Sequence, residues 1–115
     1  MRFLPLFLFT IALHAAEPKT IRLLTVGNSF SQNATHYLGD IAKAAGDTLI
    51  YRGDNIGGSS FDIHLKKMQV AEKDPASKLG TYTEGKSLKD DLTQKQWDFI
   101  TIQQASIKSH DVNTY

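Results

Sequence analysis

The sequence predicts an α/β fold built on a parallel sheet, and three observations carry that prediction. Apolar runs of strand length stand at 21–26, 48–51 and 97–102, the first two are joined by a segment of helical apolar spacing, and all three strands lead into polar loops. A strand, a helix and a second strand within about 30 residues make a right-handed βαβ unit, which opens a parallel sheet.

The chain of 115 residues begins with a short basic start at Met1-Arg2, a nearly unbroken apolar stretch from Phe3 to Leu13, and the small pair Ala15-Ala16 before Glu17-Pro18-Lys19. This is the layout of a secretory signal peptide over residues 1–16, with an apolar stretch too short to span a bilayer. The expectation is export to the periplasm or the extracellular space, with no stable membrane association after cleavage. The sequence has no cysteine, so an exported chain of this kind relies on packing alone, and thiolate metal sites are excluded. A net charge of +1, with lysines interleaved among Asp and Glu, gives a solvated face rather than a phosphate-tracking patch, and argues against a nucleic-acid partner.

The first strand is expected at 21–26, where Ile, Leu and Val crowd six residues that end at Gly27. A helix is expected over 33–45, capped by Ser31 or Asn33, with Tyr37, Leu38, Ile41, Ala42 and Ala45 on its buried face and Gly46 as its stop. A second short strand follows at 48–51. Asn55-Ile56-Gly57-Gly58-Ser59-Ser60 reads as a loop, and Phe61, Leu65 and Met68 set a helix over 61–69. From Val70 to Gly85 the periodicity fails, and a short hairpin is expected around 79–83. Ser87 caps a further helix running through Lys95, with Leu88 and Leu92 buried. The third strand spans 97–102 and ends in Gln103-Gln104-Ala105-Ser106.

Three strand ends thus deliver three polar loops to the carboxyl edge of a parallel sheet, where open α/β folds bind their ligands. Within Gly27-Asn28-Ser29-Phe30-Ser31, Ser29 stands at a strand-to-helix turn, a position suited to a nucleophile. Gly27 would let the backbone bend sharply there, and the unpaired N–H groups of the following helix would face the hydroxyl. The plainer reading makes Ser29 a helix cap, and Ser31 is the rival nucleophile. The mature chain carries His36, His64 and His110; none stands out as a base for Ser29.

The Gly-Asn-Ser-Phe-Ser, Ile-Gly-Gly and Trp-Asp-…-Gln-Gln blocks, in this order, resemble those of an exported bacterial branch of the SGNH (GDSL-like) hydrolase superfamily. The resemblance covers roughly residues 21–115. It implies a flavodoxin-like three-layer α/β/α fold and hydrolysis of acyl esters, deacetylation of carbohydrate among them, with no metal and no cofactor. It implies Ser29 as nucleophile and backbone oxyanion donor, and the backbone of Gly57 or Gly58 as second donor. A Gln103 or Gln104 side chain would replace the asparagine donor of the superfamily. The late Asp-x-x-His block of the superfamily does not occur in this sequence. The resemblance therefore implies that residues 17–115 are the N-terminal part of a longer hydrolase domain, truncated after the third core strand and inactive or marginal in folding as written. The partner expected is a small-molecule or glycan ester. The alternative is a non-catalytic carbohydrate- or phosphate-binding remnant of the same fold.

Overall fold

The computed structural model describes residues 17–115, so the expected signal peptide at 1–16 lies outside the described residues. Strands β1 (Thr20–Gly27), β2 (Thr48–Asn55) and β3 (Phe99–Ile102) form one sheet in the order β2-β1-β3, every pairing parallel. That is the order in which flavodoxin-like sheets begin. Gly27 pairs with Asn55 and Val26 with Ile102, so the three strands end almost level.

Helices α1 (Ser29–Thr35) and α2 (Leu38–Ala44) connect β1 to β2; α3 (Phe61–Lys73) and α4 (Leu88–Gln94) connect β2 to β3. The first crossover leaves β1 for β2 and the second returns past β1 to β3, so they run in opposite directions along the sheet, and right-handedness places their helices on opposite faces. The contacts agree. On one face Leu24 and Val26 pack on Leu88 of α4, flanked by Met68, Tyr82 and Trp97. On the other, Thr25 Oγ1 lies 3.0 Å from the Tyr51 hydroxyl, which also lies 3.1 Å from Thr35 Oγ1 of α1. The architecture is a three-layer α/β/α sandwich. Among the described residues no helix is long and apolar enough to cross a membrane.

Several local expectations need correction. The helix expected over 33–45 is two helices, and the first begins earlier, at Ser29, with Asn28 rather than Ser31 or Asn33 as its cap. The helix breaks at His36-Tyr37. Just before the break the Thr35 hydroxyl bonds back to the Ser31 and Gln32 carbonyls, and Tyr37 leaves helical geometry at φ −103°, ψ 3°. The break turns Tyr37 and Ile41, both expected inside, to 65% and 62% exposure. Gly46 ends α2 at φ +81°, as its position after the last turn predicts.

Strand β2 continues past Tyr51 to Asn55 because Arg52 and Asp54 are held inside by charge partners, which breaks the apolar signal without breaking the ladder. Helix α3 runs on to Lys73, and Gly80 packs against its Ala71, so close that a Cβ there would lie 2.6 Å from the Ala71 nitrogen. No hairpin forms at 79–83. Two 3-10 turns, Lys78–Gly80 and Thr83–Gly85, stand there with a single antiparallel bridge between Thr81 and Ser87. Ser87 caps α4 as expected, in a reciprocal capping box with Asp90. The third strand starts at Phe99 rather than Trp97, whose indole Nε1 turns to donate to the Asp91 carbonyl at 2.8 Å. All four side chains of β3 are exposed.

Candidate active site

Two backbone hydrogen bonds gather the site. Ile56 N–H donates to the Gly27 carbonyl and Gln103 N–H to the Val26 carbonyl, each at 2.9 Å. The loops after β2 and β3 are thereby pinned on either side of the β1 terminus. Ser29 follows as the first residue of α1, exposed, and its hydroxyl makes no hydrogen bond among the described residues. It is not the cap: Asn28, only 2% exposed, accepts from Phe30 N–H at 3.0 Å and donates from Nδ2 to the Ser59 carbonyl at 3.1 Å. The cap thus binds two strand ends together and leaves the Ser29 hydroxyl uncommitted.

Gly27 is required for space rather than for a sharp bend. Its φ is not positive, but the Ser31 hydroxyl occupies the position of a Cβ, with Gln103 Cβ 3.1 Å and Oε1 3.2 Å from the same point. Ser31, buried in the first turn of α1, donates to Gln103 Oε1 at 2.6 Å. A nucleophilic role for it is disfavoured by that burial.

The two glutamines differ sharply. Gln104 accepts from Phe61 N–H at 3.1 Å and Ala105 N–H at 2.9 Å, and its Nε2 donates to the Thr114 carbonyl at 2.7 Å. Its amide is engaged at both ends. Gln103 uses only Oε1, and its Nε2 has no partner among the described residues. It lines an open groove of about 480 Å³ with Phe30, Phe61, Ile102 and Tyr115. The Gly57 and Gly58 N–H groups also find no partner among the described residues, and both glycines are exposed; Gly58 has φ +68°. Lys108, from the segment after β3, reaches Asp62 Oδ1 at 2.9 Å and Ser60 Oγ at 3.4 Å. Ser60 Oγ also donates to Asp62 Oδ1. The Ser60 hydroxyl and then Lys108 pull the Asp62 carboxyl down to about 2.

His64 is a brace. Its Nε2 lies 3.0 Å from the Gly27 carbonyl oxygen, which can only accept, so Nε2 carries the proton; Nδ1 then accepts from the Tyr82 hydroxyl at 2.7 Å. Ser59 Oγ, fully buried, lies 2.9 Å from the same Nε2 and donates to Gly27 O at 2.8 Å. Burial lowers the His64 pKa and favours the neutral ring. The Ser59–His64 pair has the spacing of a nucleophile and its base, yet solvent reaches neither. His36 stacks edge-on against Tyr37 at the α1–α2 break, and His110 is exposed after β3. No histidine among the described residues bonds to Ser29.

Beneath the β1–β2 pair lies a charged cluster that the sequence reading missed. Arg52 donates to Asp91 Oδ2 through Nε at 2.9 Å and Nη2 at 2.7 Å, while Asp54, with no exposed surface, lies 3.3 Å from Arg52 Nε. Neither Asp54 oxygen is hydrogen-bonded. Burial first, and the Asp91 charge next, push the Asp54 carboxyl up to about 7. An Arg-x-Asp pair within a strand pattern was the available signal. No group of three or more His, Asp or Glu suited to a metal ion occurs among the described residues.

No curated protein and no solved structure matches the chain. A family model described as "Domain of unknown function (DUF4886)" matches residues 22–115 and so takes in, apart from the first two residues of β1, every element that builds this site. With the greater part of its length inside that match, the chain belongs to the DUF4886 family.

Proposed function

We propose that the chain forms the nucleophile and oxyanion-binding half of a serine esterase site acting on acyl esters, acylated carbohydrates among them. One observation carries this reading: the Gly27 and Val26 carbonyls gather Ser29, the Gly57-Gly58 loop and the Gln103 amide at one carboxyl edge. The resemblance of the three sequence blocks to SGNH hydrolases supports it. In the reaction, Ser29 Oγ bonds to the ester carbonyl carbon and the alcohol leaves with the serine proton. Water then hydrolyses the acyl-serine, releasing the carboxylic acid and restoring the hydroxyl. Negative charge gathers on the carbonyl oxygen at each addition, and preaimed donors stabilise it, each worth about 3 kcal/mol in sites of this kind. The Ser29 N–H, a Gly57 or Gly58 N–H and Gln103 Nε2 are the donors free to do so.

A second reading, a binding site without chemistry, draws on the absence of any base bonded to Ser29 among the described residues. Labelling with a fluorophosphonate, followed by peptide mass spectrometry, separates the two. The esterase reading expects phosphonylation at Ser29 that disappears in Ser29→Ala. Labelling elsewhere, or none at concentrations that label weakly activated serines, refutes it and leaves the binding site.

A further inference from the structure

Gln103 has a side-chain amide with two chemically opposite ends, and only one of them can stabilise an anionic oxygen. Rotating the amide by half a turn would present its carbonyl instead and repel that charge. What holds the orientation is therefore a functional question in its own right. Ser31 is 8% exposed, one turn into α1, and its hydroxyl points back at the β1 terminus, into the space that the missing Gly27 side chain leaves open. There it donates to Gln103 Oε1 at 2.6 Å. The strand end fixes the other side of the contact, since Gln103 N–H is held by the Val26 carbonyl. The N–H and the side-chain oxygen of Gln103 are both anchored, and Nε2 is the side-chain donor left for a ligand in the groove lined by Phe30, Phe61 and Ile102.

We propose that Ser31 is a positioning residue: by donating to Gln103 Oε1 it fixes the amide with Nε2 toward the groove, where that group donates to the acyl oxygen of a bound ester. The role in catalysis rests on the esterase reading above; the orientation itself does not. Ser31 touches no substrate and acts through Gln103 alone. A donor so held is in place before charge develops, which is what makes oxyanion donors effective.

Two measurements on the full chain test this. In nuclear Overhauser spectra, the Gln103 Nε2 protons should contact Phe30 or Phe61 ring protons, and Ser31→Ala should abolish those contacts. Contacts to the Ser31 β-protons instead, or an unchanged pattern in Ser31→Ala, would overturn the proposal whatever the activity. In fluorophosphonate kinetics, Ser29 Oγ bonds to phosphorus, the P–F bond breaks, fluoride leaves and the serine proton passes to solvent. Ser31→Ala should slow this about tenfold. Gln103→Glu, which keeps an acceptor for Ser31 but loses the amide donor, should slow it about a hundredfold. Adding Ser31→Ala to Gln103→Glu should slow it no further. Wild-type speed in Ser31→Ala, or a full further loss in the double variant, overturns the proposal. If wild-type Ser29 is never labelled, the esterase reading falls and the spectra alone decide the role of Ser31.

Discussion

His64 Nε2 donates to the Gly27 carbonyl at 3.0 Å across 37 residues of sequence, joining α3 to the end of the central strand. The same oxygen accepts from Ile56 N–H and from Ser59 Oγ. Three donors on one carbonyl fix the plane of the peptide that leads into Asn28 and Ser29. The turn is held from behind, by groups that no ligand need touch.

Replacing His64 by alanine leaves the Tyr82 hydroxyl buried without an acceptor and opens a cavity. We expect a loss of about 2–4 kcal/mol in unfolding free energy, read as a lower urea midpoint at unchanged slope. The neutral ring adds a pH signature. Its pKa is lowered by burial, so the unfolded chain takes up a proton near 6.5 before the folded one does, and stability contributed by His64 falls as pH drops below that value. His64→Ala should lack this component.

Asp54 works in the opposite direction. The folded protein keeps its proton up to about 7, whereas the unfolded chain releases it near 3.8. Between those values the unfolded state binds fewer protons, so stability falls as pH rises through the window. Asp54→Asn has nearly the same size and cannot ionise, so it avoids the buried charge beside Asp91; above pH 7 it should exceed the wild type by about 2–4 kcal/mol. Urea titrations at pH 5 and pH 8 read this out, and the gap between the two proteins should widen with pH.

Gly27→Ala places a methyl where the Ser31 hydroxyl sits. The expected loss is about 1–3 kcal/mol. In a Ser31→Ala background the closest obstruction is gone and only the Gln103 side chain, 3.1–3.2 Å away, remains, so the same substitution should be less harmful. A double-mutant cycle on thermal unfolding measures this coupling, and additivity within about 0.5 kcal/mol would argue against the contact.

The adjacent glycines of the second loop should separate cleanly. Gly58 has φ +68° and Gly57 has no positive φ, while a Cβ on either meets open space. Gly58→Ala should lose about 1–2 kcal/mol through backbone strain alone, and Gly57→Ala should stay within about 0.5 kcal/mol of the wild type.

The sheet was legible because its strands are short apolar runs bounded by glycine or polar clusters, and Ser87 was legible as a cap because Asp90 follows at the spacing of a capping box. What the sequence hides is the part that depends on distant partners. Asn28 looks like one polar residue among several until Ser59 arrives to accept from it. Arg52 and Asp54 look like the end of a strand; Asp91 on a helix far along the chain and the Thr83 carbonyl hold Arg52 in place, and Arg52 in turn faces Asp54. The break at His36-Tyr37 turns on the Thr35 hydroxyl competing for carbonyls of its own helix, against an apolar spacing that runs on through Ala45. Gln103 and Gln104 are adjacent and chemically identical. Their division of labour emerges only once Ser31 and Thr114 are placed beside them.

Among the described residues, nine buried side chains are polar or charged and five are apolar. Unfolding hydrates both kinds, and their heat-capacity increments have opposite signs. An interior of this composition should unfold with a small heat-capacity increment for its size, giving a stability curve that is broad and shallow in temperature. For this fold, cold would threaten less than a change of pH at Asp54, because a flat curve loses little stability on either side of its maximum.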